Sequence, residues 1–193
     1  MAPRPLVPEE VAALLRATES SIRAELTALA EDAASWHPAA RPAEAGGGNT
    51  ALAGASRAVA AHEWCVKECL GHLIAAELHG FAGRIRSILA RPGLTLELWD
   101  PVAMAEQRQD CRKPVEALVE AFAAARLESL GLVESLRNVD LDKTGEHPRV
   151  GTLRVEDLLQ EWVYHDRIHQ RQLLANTQDY VWPALGTSRR FYE

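Results

Sequence analysis

Three histidines have the type and spacing that could bind a metal ion. His165 and His169 stand four residues apart, and with Leu158 and Trp162 they follow the stripe of one helical face. His72 lies inside a second apolar segment that could face them. Burying imidazoles costs free energy unless their nitrogens find partners, and a shared cation provides them. The spacing therefore permits an open metal site, with histidines that are hydrogen-bonded without metal as the alternative.

Four long segments with apolar residues at intervals of three and four must position these histidines. The intervals predict helices over about Pro8–Ala34, Cys65–Ala90, Pro114–Arg137 and Leu153–Asn176. A stretch at about 37–57 contains prolines and three consecutive glycines, and is predicted to be a flexible loop. No strand alternation or solenoid repeat is evident, so the sequence predicts an all-α four-helix bundle forming one domain over 1–193.

Composition narrows the function classes. The net charge is -6 and no basic cluster is present, which argues against a nucleic-acid partner. No apolar run is long enough to cross a membrane, and the first residues lack the apolar region of a signal peptide. Three cysteines are too few, and odd in number, for a disulfide framework, which fits a reducing compartment. We therefore expect a cytoplasmic protein without a membrane partner.

Two segments resemble the DinB/YfiT-like family. WCVKECLGHL at 64–73 is similar to that family's second-helix motif. HPRVGTLR at 147–154, followed by LLQEWVYHDRIHQ at 158–170, resembles its fourth-helix signature. The third helical segment is also similar to the corresponding segment of the family, whereas the first helical segment resembles it only in being amphipathic. The resemblance covers about residues 60–192.

The resemblance implies an antiparallel four-helix bundle with a long crossing connection, and homodimers are frequent in the family. It implies that His72, His165 and His169 bind one divalent metal ion, with nickel or zinc first and iron or manganese as alternatives. Family members include thiol-dependent transferases and isomerases. We therefore expect a thiol-dependent S-transferase or a related transferase or isomerase, acting on a small molecule with a low-molecular-weight thiol. A metal-dependent hydrolase and a non-catalytic, stress-related metal-binding protein are the alternatives.

No protein residue is identified as catalytic, because no nucleophile and base pair stands near the metal motifs; a metal-bound water or thiol would react instead. The sequence departs from the family at Cys65, where relatives commonly have a Ser or Thr helix cap with an acidic residue at the position of Glu68. A thiol caps poorly, so we expect a loss of about 1 kcal/mol of local stability. Glu68 could also orient His72 by accepting its second ring proton, or simply be solvated at the helix start.

Other polar residues have two interpretations each. Cys69 could be a sulfur ligand or nucleophile, but a buried small hydrophobic residue is favoured. Arg126 could bind an anionic substrate group or cover core surface with its stem. Asp166 should point about 100° away from His165, which excludes it as a ligand and leaves surface or interhelical pairing. His147 could lie at the mouth of the site. The remaining histidines, expected to be partly exposed and without ligand spacing, are His37, His62 and His79.

Overall fold

The computed structural model describes residues 3–39 and 63–192. In chain order its elements are α1 (Pro8–Thr27), α2 (Glu31–Ala34), α3 (Val66–Ala75), a π-helix (Ala76–Phe81), α4 (Ala82–Ala90), α5 (Pro101–Arg108), a 3-10 turn (Asp110–Arg112), α6 (Val115–Ser135), α7 (Asn138–Leu141), β1 (Thr144–His147), β2 (Gly151–Arg154), α8 (Val155–Val181) and a 3-10 segment (Trp182–Phe191). The two strands form an antiparallel hairpin in which Thr144 lies opposite Arg154.

Four long helical segments pack as the predicted bundle. Helix α1 packs against α6 and α8, and α3 packs against the same two helices. Helices α1 and α3 therefore occupy opposite corners, although they are the first two long helices of the chain. Most of the loop predicted at about 37–57 lies outside the described residues. Within the described ranges, no helix is both long and apolar enough to cross a bilayer.

The first helix is shorter than predicted. It ends at Thr27 and a short helix begins at Glu31, where the periodicity had predicted one helix to Ala34. Contacts from Glu31 explain the break: its Oε1 accepts the backbone N–H of Val115 at 2.8 Å, and its other oxygen pairs with Lys67. The chain therefore leaves the helical conformation after Thr27 and resumes it at Glu31, where Glu31 makes these interhelical contacts.

The second long segment runs to Ala90 as predicted but contains a π-helix. The insertion of an extra residue in such a turn re-aims the side chains that follow. The π-helix contains Glu77, whose side chain lies in the core with 1% of its surface exposed. Gly83 is required just after it, because a Cβ at that position would lie 2.1 Å from the carbonyl oxygen of Leu78.

The connections contain elements that the sequence reading did not predict. Helix α5 begins after Asp100, whose Oδ1 accepts two backbone N–H groups of the first turn, with Pro101 at the first helical position. The hairpin delays the start of the last helix from the predicted Leu153 to Val155. That helix also continues past the predicted Asn176 to Val181, whereas α6 lies within two residues of its predicted bounds.

The cysteine prediction needs correction. The structure pairs Cys65 with Cys111 as a disulfide and leaves Cys69 as a buried free thiol. The odd count had pointed away from disulfides, but an odd set can still contain one bonded pair. The cysteines therefore do not support the expectation of a reducing compartment.

A polar layer divides the core into two apolar clusters. One cluster includes Leu15, Phe81 and Trp162, and the other includes Leu70, Phe122 and Leu173. Each of the four long helical segments contributes buried polar residues, among them Thr18, Glu77, Arg126 and Asp166. His165 adjoins this layer, since it directly precedes Asp166 and the charge of Arg126 contributes to lowering its pKa.

Candidate metal centre

The structure brings together the three histidines that the sequence singled out. Helix α3 provides His72, and α8 provides His165 and His169 from successive turns. The Nε2 atoms of His72 and His165 are 3.0 Å apart, and one ring nitrogen from each histidine lies within 4.8 Å of the other two. Nitrogens on a tetrahedral ion lie roughly 3.3 Å apart, given bonds of about 2.0–2.1 Å. The arrangement is therefore close to what one ion requires.

Hydrogen bonding to the rings also fits a metal site. His169 Nδ1 lies 2.9 Å from Gln172 Oε1, so the amide oxygen can accept the Nδ1 proton and leave the Nε2 lone pair for an ion. The Nδ1 atoms of His72 and His165 are buried without a hydrogen-bond partner among the described residues. Their Nε2 atoms lie 3.0 Å apart, and a cation between them would bind the Nε2 lone pairs of both rings.

Burial keeps the three imidazoles neutral. It lowers the pKa of His72 to about 3, with the nearby His169 adding to the effect. Burial also lowers the pKa values of His165 and His169; for His165, the two other histidines contribute further. Neutral imidazoles have the free lone pairs that a cation needs.

We expect the metal-free protein to lose stability as pH falls below about 6.5. In the unfolded chain these histidines take up protons near their ordinary pKa of 6.5, whereas folded His72 stays neutral down to about 3. The free energy of unfolding is therefore highest above about pH 6.5. It falls as the pH is lowered further, by up to about 1.4 kcal/mol per pH unit for each histidine. Urea unfolding with a chelator at about pH 7.5 and 5.5 measures the decline. The variant His165→Ala should show a smaller decline, and an equal one would contradict this origin.

Aromatic rings enclose the histidines. Trp64 and Trp99 lie against His72 with ring centroids 5.2 and 5.9 Å away, and the Trp99 ring is stacked on the imidazole. Phe81 meets the edge of His165 at 5.2 Å and stacks on Trp162. The sequence reading did not assign Trp64, Trp99 or Phe81 to the site. They reduce the access of water to the imidazole nitrogens.

The contacts within the polar layer decide between the roles predicted for Arg126 and for Asp166. The Arg126 guanidinium donates to both oxygens of Asp166, at 2.8 and 3.1 Å, and its Nη2 lies 2.7 Å from Glu77 Oε1. All three side chains are 1% exposed. Arg126 is thus held by the protein's own carboxylates, and the hypothesis of a substrate anion bound there is wrong. Asp166 makes the interhelical pair and is not directed at the histidines.

Glu77 completes the layer and was missed by the sequence reading. Its Oε1 accepts the indole N–H of Trp162 at 2.9 Å. Burial raises the pKa of Glu77, while Arg126 opposes the rise. The sequence did contain a signal for a buried Glu77, because this acidic residue follows Leu73 by four residues and has apolar neighbours.

The positions of Glu68 and Cys69 decide between the roles that the sequence left open for them. Glu68 does not orient His72: its Oε2 accepts the backbone N–H of Cys65 at 2.9 Å and lies 3.1 Å from His37 Nε2. Cys69 is fully buried, and burial raises the pKa of its thiol, in agreement with the favoured interpretation. His62 lies outside the described residues.

A second polar group lies one turn from the histidines. Glu161 precedes His165 by four residues on α8, and Arg84 lies three residues after Phe81. Burial is the main cause that lowers the pKa of Arg84 and raises that of Glu161, and the opposite charges of the two oppose both shifts. Arg84 Nη2 is 3.3 Å from His147 Nε2. His147 therefore joins this group and not the three histidines.

Comparison with known proteins agrees with the fold. The family model described as the DinB superfamily matches residues 14–173. Among solved structures, YfiT from Bacillus subtilis superposes with a TM-score of 0.73 at 13% sequence identity, over 94% of each chain. YfiT is described as a probable metal-dependent hydrolase with an unusual four-helix bundle topology. No curated protein matches the chain.

Proposed function

The chain belongs to the DinB superfamily, and from that premise we propose that it is a metal-dependent enzyme for a small-molecule substrate, acting as a thiol-dependent S-transferase or a related transferase or isomerase. The observation that carries the proposal is the convergence of three neutral imidazoles, from two facing helices, on one point. In this proposal His72, His165 and His169 hold a divalent ion, with nickel or zinc first and iron or manganese as alternatives.

Three protein ligands leave coordination positions for other molecules, as in catalytic zinc sites. When bound, a divalent ion lowers the pKa of a coordinated thiol or water and so supplies a nucleophile at neutral pH. Within the chain, His72 and the α8 pair bind the ion, and Gln172 holds the His169 ring in place. Trp64 and Trp99 form an aromatic wall beside His72 that would contact an apolar part of the substrate.

The cysteines support a nucleophile from outside the protein. Cys69 is buried, and its raised pKa keeps the thiol protonated. The sulfurs of Cys65 and Cys111 are bonded to each other. None of these sulfurs is a ready nucleophile, so a low-molecular-weight thiol is the proposed cosubstrate. Arg84, a partly buried cation beside Glu161, is the residue we propose for an anionic group of the substrate or thiol.

A metal-dependent hydrolase is the second candidate. It is favoured by the structural likeness to YfiT, whose description names that activity. The same three ligands would serve it, with water replacing the thiol at the open position. The cytoplasmic location and the homodimer expected from the sequence also remain proposals.

A matched pair of variants tests the proposed activity. The metal-loaded protein is assayed with a panel of electrophiles and esters, with and without small thiols. We expect turnover that needs both the ion and a thiol, is retained in Cys69→Ala, and falls at least about 100-fold in His72→Ala. Hydrolysis without a thiol would replace the first candidate with the second. Loss of activity in metal-loaded Cys69→Ala would place the chemistry on the protein's own sulfur, and no turnover with any substrate class would favour a non-catalytic role.

A further inference from the structure

A second group of metal-binding side chains lies at the start of α3, away from the three histidines. It consists of His37, Cys65, Glu68 and Cys111, and one ligand atom from each lies within 4.8 Å of the other three. The four residues come from three separate parts of the chain. His37 follows α2, Cys65 and Glu68 are the N-cap and first turn of α3, and Cys111 is in the 3-10 turn before α6.

The contacts within this group are close and shielded. His37 Nε2 lies 3.1 Å from Glu68 Oε2 and 3.5 Å from Cys111 Sγ. Cys65 is 0% exposed, and the side chains of His37 and Glu68 are 29% and 22% exposed. Cys65 also stands at a helix N-terminus, where the helix dipole favours the thiolate form of a cysteine. The group thus combines sulfur, nitrogen and oxygen donors in a partly enclosed place.

We propose that, in the reduced protein, His37, Cys65, Glu68 and Cys111 form a second metal site, which binds Zn²⁺. Two thiolates, one imidazole and one carboxylate make a tetrahedral donor set that suits zinc and is poorly suited to magnesium or calcium. Because the protein supplies all four ligands, no position remains for substrate, and the site is structural. This proposal does not rest on the proposed enzymatic function.

Zinc and the disulfide are alternative states of the same two sulfurs. The Cα atoms of Cys65 and Cys111 are 7.2 Å apart, whereas disulfides usually span about 4.4–6.8 Å. Two thiolates on one zinc ion lie roughly 3.8 Å apart, given Zn–S bonds of about 2.3 Å. The wider backbone separation suits sulfurs that are held apart by an ion. Zinc would therefore bind after a dithiol or phosphine reductant has supplied two electrons, and two protons from solvent have given the two thiols. Both thiol protons are then released when the thiolates bind the ion.

A zinc ion here would tie together the segments that surround the start of α3. The ligands join residue 37, after the short helix, to the first turn of α3 and to the turn before α6. Cys65 precedes His72 by seven residues, or roughly 10.5 Å along the same helix. The proposed site would thus fix the end of the helix that presents His72.

Cobalt titration of the full chain tests the proposal. The protein is reduced with a phosphine, stripped of metal and titrated with Co²⁺ under nitrogen. A thiolate bound to cobalt gives a charge-transfer absorption that three imidazoles cannot give. We expect this band at one equivalent, its displacement by Zn²⁺, and at least about a 100-fold loss of affinity in Cys111→Ser. Cys69→Ala is the matched control, since Cys69 is outside the group, and it should keep the band.

Absence of the band in reduced wild-type protein, or an unchanged band in Cys111→Ser, would overturn the proposal. Because a variant could misfold, the wild-type chain provides a second measurement. Zn²⁺ should slow alkylation of Cys65 and Cys111 by at least about 10-fold, and equal rates with and without zinc would also overturn the proposal. Neither result would affect the histidine site, which contains no sulfur.

Discussion

His165→Ala should lower the affinity of the three-histidine site for Zn²⁺ or Ni²⁺ at least about 100-fold, while the protein stays folded. His165 lies against both other histidines, because its Nε2 is 3.0 Å from that of His72 and its ring centroid is 4.5 Å from that of His169. Its removal leaves two ligands on neighbouring helices. A two-ligand site keeps too little of the binding energy to compete with water.

Calorimetric titration measures this loss, with the Cys65–Cys111 pair kept oxidised so that only the histidines can bind. His79→Ala is the matched control, since it removes an exposed histidine from the helical segment that contains His72. Asp166→Asn should also keep the affinity, because both oxygens of Asp166 are directed at Arg126. Equal losses in His165→Ala and Asp166→Asn would show that the ligand assignment on α8 is wrong.

Arg126→Met should lower the free energy of unfolding by about 3–5 kcal/mol. Arg126 is the cation between two buried carboxylates, and its guanidinium also lies 5.0 Å from the centre of the Phe122 ring. Methionine keeps much of the volume but leaves Glu77 and Asp166 buried without a positive partner. Breaking a buried ion pair from one side costs the desolvation of the charge that remains.

Urea unfolding compares this variant with Arg16→Met. Arg16 also makes an ion pair between helices, with Glu134, but both side chains are about half exposed, at 55% and 51%. Its loss should change stability little, because solvent screens such pairs. Replacing the whole triad (Glu77→Leu, Arg126→Met, Asp166→Leu) should recover much of the stability lost in Arg126→Met. If the urea midpoint of Arg126→Met equalled that of the wild type, the polar layer would not stabilise the fold as proposed.

The bundle and the histidine cluster could be predicted because both depend on helical periodicity. Leu158, Trp162, His165 and His169 mark one face of α8 whatever the connections do. The same reasoning underestimated Asp166, which it placed outside the inward stripe. Helix α8 packs against both α1 and α3, so its buried arc is wider than one stripe and includes His165 and Asp166 together.

Other features depend on contacts that periodicity does not contain. The break before Glu31 follows from its bonds to Val115 and Lys67, which are distant in sequence. The partners of Glu77, which are Arg126 and Trp162, lie on helices distant in sequence. Helix α5 was predictable in principle, because Asp100 and Pro101 are a recognised helix start.

The cysteine and histidine group at the start of α3 could not have been found from spacing. Its members are residues 37, 65, 68 and 111, and only Cys65 and Glu68 are near one another in sequence. Metal-site motifs are recognisable when ligands recur at short intervals in one element. Here only the fold brings the three parts of the chain together. For that reason the sequence analysis predicted that His37 was a partly exposed histidine without ligand spacing.

An anomalous difference map at the zinc absorption edge, from crystals of untagged protein loaded with Zn²⁺, would show directly whether the three histidines bind one ion. We expect a peak about 2.0–2.2 Å from one nitrogen of each of His72, His165 and His169, and no peak in crystals of His165→Ala. A map without density between these rings, with the imidazoles bonded to one another as His72 and His165 are at 3.0 Å here, would contradict this expectation.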